Sequence, residues 1–127
     1  MLRPQPCFAF HTADRLHWRA EFLRVQRTGT RFQTDHFVVY AARFPESQAI
    51  RLGATVSRRL GNAVIRNRIK RRIRECFRLS LRWRLPAGTA IVIIGRAGAG
   101  ALEMQSVMSE LDSAVAKLQL RLRQSHE

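Results

Sequence analysis

The sequence predicts a one-domain α+β sandwich with the element order αβββαβα, and three observations carry that reading. The chain has 127 residues, 46% of them hydrophobic and 25% charged, enough for one real core but short for two. Four runs rich in β-branched and aromatic residues, at 30–34, 37–42, 51–57 and 89–94, have the length of strands. Three stretches, beginning near residues 18, 62 and 102, space their apolar residues with a helical period. No repeat, low-complexity tract or internal boundary divides the chain, so residues 1–127 form a single domain.

Residues 1–14 carry Pro4, Pro6, Phe8 and Phe10 and are expected to form an extended arm. From 18 to 28, Trp18, Phe22 and Val25 fall at i, i+4 and i+7, and Gly29 follows as a stop, which predicts a short amphipathic helix. The runs TRFQT and FVVYAA flank Asp35 and His36 and predict a hairpin. Alternation along its second strand places Val38 and Tyr40 on one face and Phe37 and Val39 on the other, so one pair faces the core. Residues 43–49 contain Pro45 and read as a loop, and RLGATVS, 51–57, is a third strand leading into the second helix. Residues 85–88, LPAG, break the chain; TAIVII is an apolar run suited to a central strand, and GRAGAG, 95–100, reads as a flexible connection. Met104, Val107, Met108, Leu111, Val115, Leu118 and Leu122 keep helical spacing, and that last helix should cover the sheet.

Charge singles out residues 58–84. Eleven of the 23 Lys+Arg lie there (Arg58, Arg59, Arg66, Arg68, Lys70, Arg71, Arg72, Arg74, Arg78, Arg82, Arg84), against one acid, Glu75. On a helical projection Ile65, Ile69, Ile73, Cys76, Phe77 and Ser80 share one arc, and the bases with Asn67 fill the remainder. Asn62, after Gly61, is a favoured N-cap, and the free N–H groups of the first turn can receive a phosphate oxygen. Arg66 sits at the edge of the apolar arc, so a partly buried stem should order its guanidinium. With so few acids, i,i+4 pairs cannot neutralise the stripe, and its self-repulsion is relieved by a polyanion. The net charge is +14, with only Lys70 and Lys117 as lysines. Arginine suits bidentate phosphate contact and stacking on bases, which ranks nucleic acid first among partners and an anionic membrane surface second.

Several chemistries are excluded on pattern. His11, His17, His36 and His126 lack metal-ligand spacing, the nine acids are scattered singly, and neither a P-loop nor a dinucleotide fingerprint occurs. Cys7 and Cys76 are far apart, and Cys76 falls on the buried arc, which predicts a buried thiol rather than a disulfide framework. The N-terminus lacks an apolar signal core, and the longest apolar run, residues 90–94, is far too short to span a bilayer. A soluble cytoplasmic protein is expected, offering binding rather than bond-breaking chemistry. Aromatic platforms beside basic flanks suit single-stranded RNA. Phe22 and Tyr40 are candidates for such platforms, and equally for rim residues of the core.

The segment GATVSRRLGNAVIRNRIKRRIRE, 53–75, closely resembles the protein component of bacterial ribonuclease P. Its mark is Arg66-Asn67-Arg68 followed by Ile69-Lys70-Arg71 and preceded by Arg58-Arg59 and Gly61-Asn62. Looser similarity extends to Arg15-Leu16, Glu21-Phe22, FVVY at 37–40, TAIVII and the last helix. The resemblance implies a left-handed crossover around the basic helix, contrary to the usual right-handed rule. It implies a subunit, monomeric and one per RNA, of a ribonucleoprotein that removes the 5′ leader of precursor tRNA. Hydrolysis would reside in ribonuclease P RNA with Mg²⁺ bound mainly by that RNA, the protein alone being inactive and no membrane being involved. Carried onto this chain, the RNA-subunit contacts are Arg58, Arg59, Asn62, Arg66, Asn67, Arg68, Lys70, Arg71 and Arg72, and the leader cleft takes Phe22, Val38 and Tyr40. Two departures are visible. Gln26 stands where some members have a second aromatic, leaving Phe10 or Trp18 to supply stacking, and the basic pair is Arg-Arg where Lys-Lys is common. A ribosomal-type basic module without a role in cleavage, or an endoribonuclease using His17 or His36, would be the readings from other classes.

Overall fold

Period-two burial shapes the sheet. In the computed structural model, which describes residues 14–16 and 19–124 with side chains through residue 121, strand β2 (Phe37–Arg43) buries Phe37, Val39 and Ala41 on one face and leaves Val38 and Tyr40 half-buried on the other. Strands β1 (Thr30–Gln33), β3 (Arg51–Val56) and β4 (Thr89–Gly95) complete a four-stranded sheet in the order β1-β2-β4-β3. The β1–β2 and β2–β4 pairs are antiparallel, whereas β3 and β4 are parallel, as a helical crossover between them requires. TAIVII is therefore central, which explains its unbroken apolar character: every residue from Thr89 to Ile93 is buried.

Helix α1 (Arg19–Thr28) lies on one face of the sheet, where Val25 packs with Leu16, Ala42, Phe44, Ala90 and Val92. The opposite face is covered by α2 (Ala63–Cys76) and α4 (Met104–Gln124). There Ile69, Ile73 and Phe77 meet Val39, Ile91 and Ile93 of the sheet and Leu111, Val115 and Leu118 of α4. The predicted order αβββαβα is the observed one. Trp18, placed in the first helix by its spacing, and the arm with Phe8 and Phe10 lie outside the described residues.

Beyond Cys76 the second helix does not stop. It passes through a π-helical segment, Phe77–Leu81, and ends in a last turn, α3 (Arg82–Arg84). That extension is tied to α4, where Ser80 Oγ donates to Asp112 Oδ1 at 2.7 Å and Gln119 Nε2 donates to the Arg84 carbonyl. Cys76 is buried as expected, and its burial pushes the thiol up to about 12, so it stays protonated and inert.

The glycine-rich stretch is not the flexible connection that its composition suggests. Residues Ala99–Ala101 form a 3₁₀ turn with Ala99 buried, and a Cβ on Gly100 would come within 2.9 Å of Ile65 Cγ2. The Leu102 carbonyl that follows accepts from the Arg72 guanidinium. Small residues serve here for close approach to α2, so the turn braces the helix.

His36 and Glu110 make the other long-range tie. The Glu110 carboxylate accepts from the His36 backbone N–H at 2.9 Å and from Thr34 Oγ1, and lies 2.8 Å from His36 Nδ1. Burial alone would raise this carboxyl, but the Thr34 and His36 contacts outweigh it and hold it below its ordinary value of 4.5. A depressed carboxylate stabilises the fold above the ordinary value, and that contribution disappears as the pH falls through the lower folded value. Glu110→Gln should cost about 1–3 kcal/mol at pH 7 by chemical denaturation. The gap from wild type should close at a pH low enough to protonate Glu110; a gap that persists there would rule out the carboxylate charge as its source.

Candidate nucleic-acid interface

The basic helix begins with two caps. Ser57 Oγ accepts from the Arg59 N–H at 3.2 Å to start the 3₁₀ turn Arg58–Leu60, and Asn62 Oδ1 accepts from the Ile65 N–H at 3.1 Å to start α2. Asn62 thus spends its oxygen on the helix and keeps its amide N–H groups for a partner. Ile69, Ile73 and Cys76 pin one face to the sheet, while Asn67, Arg68 and Arg71 are exposed and Arg66, Lys70 and Arg72 half-exposed on the rest.

Ion pairing divides the bases sharply. Among the described residues, Arg58, Arg59, Arg66, Arg68, Lys70 and Arg71 meet no carboxylate. Further along, every base meets one: Arg78 pairs with Glu75 at 2.7 Å, Arg82 with Asp14 at 2.6 Å, and Arg84 with Asp112 at 3.9 Å. The Arg78 partnership holds the Glu75 carboxyl below its ordinary value through their hydrogen bond. Arg72 is spoken for in part by the Leu102 carbonyl. At Arg66 the Nε is buried with no hydrogen-bond partner, in keeping with the ordered stem expected at the border of the apolar arc. Val64, on the first turn of α2, is 67% exposed in the middle of this field.

The second predicted surface is partly assembled. Phe22 leans on Gly53 of β3, where a Cβ would lie 2.4 Å from the ring, so only glycine admits the ring at that depth. Two grooves open beside it. One of about 460 Å³ is lined by Arg19, Phe22, Leu23, Gln26, Ala54 and Thr55, and a smaller one of about 180 Å³ by Arg15, Leu16, Phe22, Leu52, Gly53, Ala54 and Arg74. Val38 and Tyr40 lie on the same sheet face as Phe22, with Tyr40 in register with Val92 and Val92 with Gly53. They stand on β2, however, and do not line either groove. The Tyr40 hydroxyl accepts from Arg31 Nε at 3.2 Å, which fixes the ring and places a guanidinium beside it. Arg15, Arg19, Thr55 and Arg74 were not singled out from sequence; the spacing of single residues on four elements carries no signal that they converge.

This arrangement grips anions and stacks bases; it does not assemble acid–base or metal chemistry. Among the described residues no group of three or more His, Cys, Asp or Glu side chains could hold a metal ion. His36 is held by Glu110, and His17 lies outside the described residues. No helix among those residues is long and apolar enough to cross a membrane.

Comparison with known proteins gives a consistent result. Residues 10–119 match the family model described as Ribonuclease P. The ribonuclease P protein component of Syntrophobacter fumaroxidans is 44% identical over 104 residues, 80% of this chain and 85% of the relative. That of Geobacter sp. (strain M21) is 38% identical over 109 residues, 86% and 91% of the two chains. Among solved structures, the RNase P protein from Staphylococcus aureus superposes with a TM-score of 0.74 at 34% identity, covering 83% of this chain and 96% of that one. The RNase P protein from Thermotoga maritima does so with a TM-score of 0.71 at 31% identity, covering 81% and 96%.

Proposed function

The chain belongs to the ribonuclease P protein family, and on that premise we propose that α2 holds the enzyme's RNA subunit while the groove beside Phe22 holds the single-stranded 5′ leader of precursor tRNA. Membership makes RNA the partner. The observation that carries the division of labour is the split in ion pairing: Arg58, Arg59, Arg66, Arg68, Lys70 and Arg71 are uncompensated, and Arg78, Arg82 and Arg84 serve the fold. Asn62, Asn67 and Arg72 add donors along the same face. An uncompensated helix is a cost that folded RNA removes, since each phosphate neutralised releases counterions.

The leader surface is built from Phe22 as a stacking platform, with Val38 and Tyr40 continuing the same face across the sheet. Where a second aromatic is missing, Gln26 lines the groove instead. Hydrolysis is assigned to the RNA subunit with its bound Mg²⁺, because guanidinium groups without carboxylates repel a dication rather than hold it. The protein acts by neutralising phosphates and fixing the leader, as a monomer, one per RNA, in the cytoplasm.

The test is cleavage of precursor tRNA by a bacterial ribonuclease P RNA at low Mg²⁺, with and without the chain. Cleavage should be restored by the protein, and the RNA-free protein should cleave nothing. Failure to stimulate would leave a ribosomal-type binding module, and robust cleavage by the protein alone would overturn the assignment of catalysis to RNA.

A further inference from the structure

The smaller groove beside Phe22 differs from its neighbour in charge. It lies at the outer edge of β3, with Arg15 and Arg74 among the seven residues that line it and no acid among them. Arg15 is set there by main chain: residues 15 and 16 run parallel to β3, bridging Arg15 to Leu52 with the Leu16 N–H donating to the Leu52 carbonyl at 3.0 Å. Arg74 comes from the far side, on α2, whose apolar face is locked by Ile73 and Cys76. Backbone groups alternate sides along a strand, so the Ala54 N–H faces the same edge as Leu52. Burial lowers the Arg74 guanidinium from its ordinary value, and the nearby Arg15 lowers it further. Two cations thus converge from different elements on one concavity, a geometry that an anion stabilises.

We propose that this pocket is a phosphate site, in which Arg15 and Arg74 grip the oxygens of one RNA phosphodiester between the α2 face and the leader groove. The proposal rests on the reading that the groove beside Phe22 holds the leader. The leader is favoured over the RNA subunit as the source of that phosphate because the pocket shares Phe22 and Ala54 with the larger groove. A base stacked on Phe22 would have its own backbone within reach of the two guanidinium groups. The site would then fix the register of the leader, where stacking alone would let it slide.

The experiment uses holoenzyme reconstituted from ribonuclease P RNA and wild-type, Arg74→Gln or Arg74→Lys protein. Its probes are precursor tRNAs with an uncharged methylphosphonate at one leader linkage at a time. With wild-type protein, neutralising one particular linkage should weaken precursor binding about ten-fold. Arg74→Gln should weaken the unmodified precursor similarly, and the same linkage should then lose its effect, because the two changes remove one contact. Arg74→Lys should restore part of the affinity, and binding of the RNA subunit and of mature tRNA should stay within about two-fold. If Arg74→Gln instead weakens the RNA subunit and leaves the linkage effect intact, the phosphate belongs to that subunit and the leader assignment is overturned. If neither changes, the pocket is no phosphate site. Phe22→Ala reports separately: indifference to the leader there sinks the groove reading itself, whatever Arg74 shows.

Discussion

Replacing Arg66, Arg68 and Arg71 together by alanine is expected to weaken binding of ribonuclease P RNA by about 10²- to 10⁴-fold at physiological salt. Each base lost removes a charge-assisted contact of roughly 1–2 kcal/mol, and about 1.4 kcal/mol is a factor of ten. The log–log salt slope should become shallower by about 2–3, because three phosphates are no longer neutralised at roughly 0.7–0.9 each. The triple variant should fold, since none of the three meets a carboxylate in the described molecule. Arg82→Ala provides the contrast. Its partner Asp14 is 2.6 Å away and the two side chains are only 11% and 21% exposed, so its loss should lower stability and leave the salt slope in place. A slope that falls equally in both variants would refute the division of the helix into a binding half and a structural half.

Phe22→Ala is expected to raise the KM for precursor tRNA carrying a leader by about 5- to 150-fold, the range set by roughly 1–3 kcal/mol of stacking per base. Affinity for the RNA subunit should be unchanged, and a substrate without a leader should be indifferent. Phe22 also packs against Gly53 and the Leu16–Val25 cluster, so truncation may be read through the fold unless Phe22→Leu is measured beside it. Leucine keeps most of the apolar contact and loses the aromatic face. A KM that is normal with Leu and high with Ala would assign the effect to packing, and stacking would be rejected.

Much of this molecule was legible in its order of residues. The arc Ile65, Ile69, Ile73, Cys76 and Phe77 named the buried face of the helix because a period can be read locally, and alternation on β2 sorted Phe37 and Val39 from Val38 and Tyr40 for the same reason. What escaped depends on distant partners. Asp14 and Asp112 cancel Arg82 and Arg84 across 68 and 28 positions of chain, so a count of eleven bases overstated the free charge. GRAGAG was misjudged because small residues signal flexibility and close packing alike, and only the position of Ile65 decides between them. Val38 and Tyr40 were placed on the correct face, but the grooves open toward β3, whose position at the edge is a matter of strand order.

The π-helical segment at Phe77–Leu81 has a consequence for how this charge is portioned. A uniform α-helix would carry the angular sequence of Arg66, Lys70 and Arg74 onward to Arg78 and Arg82 as one continuous rail. Widening a single turn changes the phase of everything downstream, which swings the later arginines toward acids of the protein's own surface. The bulge works as a punctuation mark in an otherwise uninterrupted cationic sentence, limiting how far along the helix a polyanion can track.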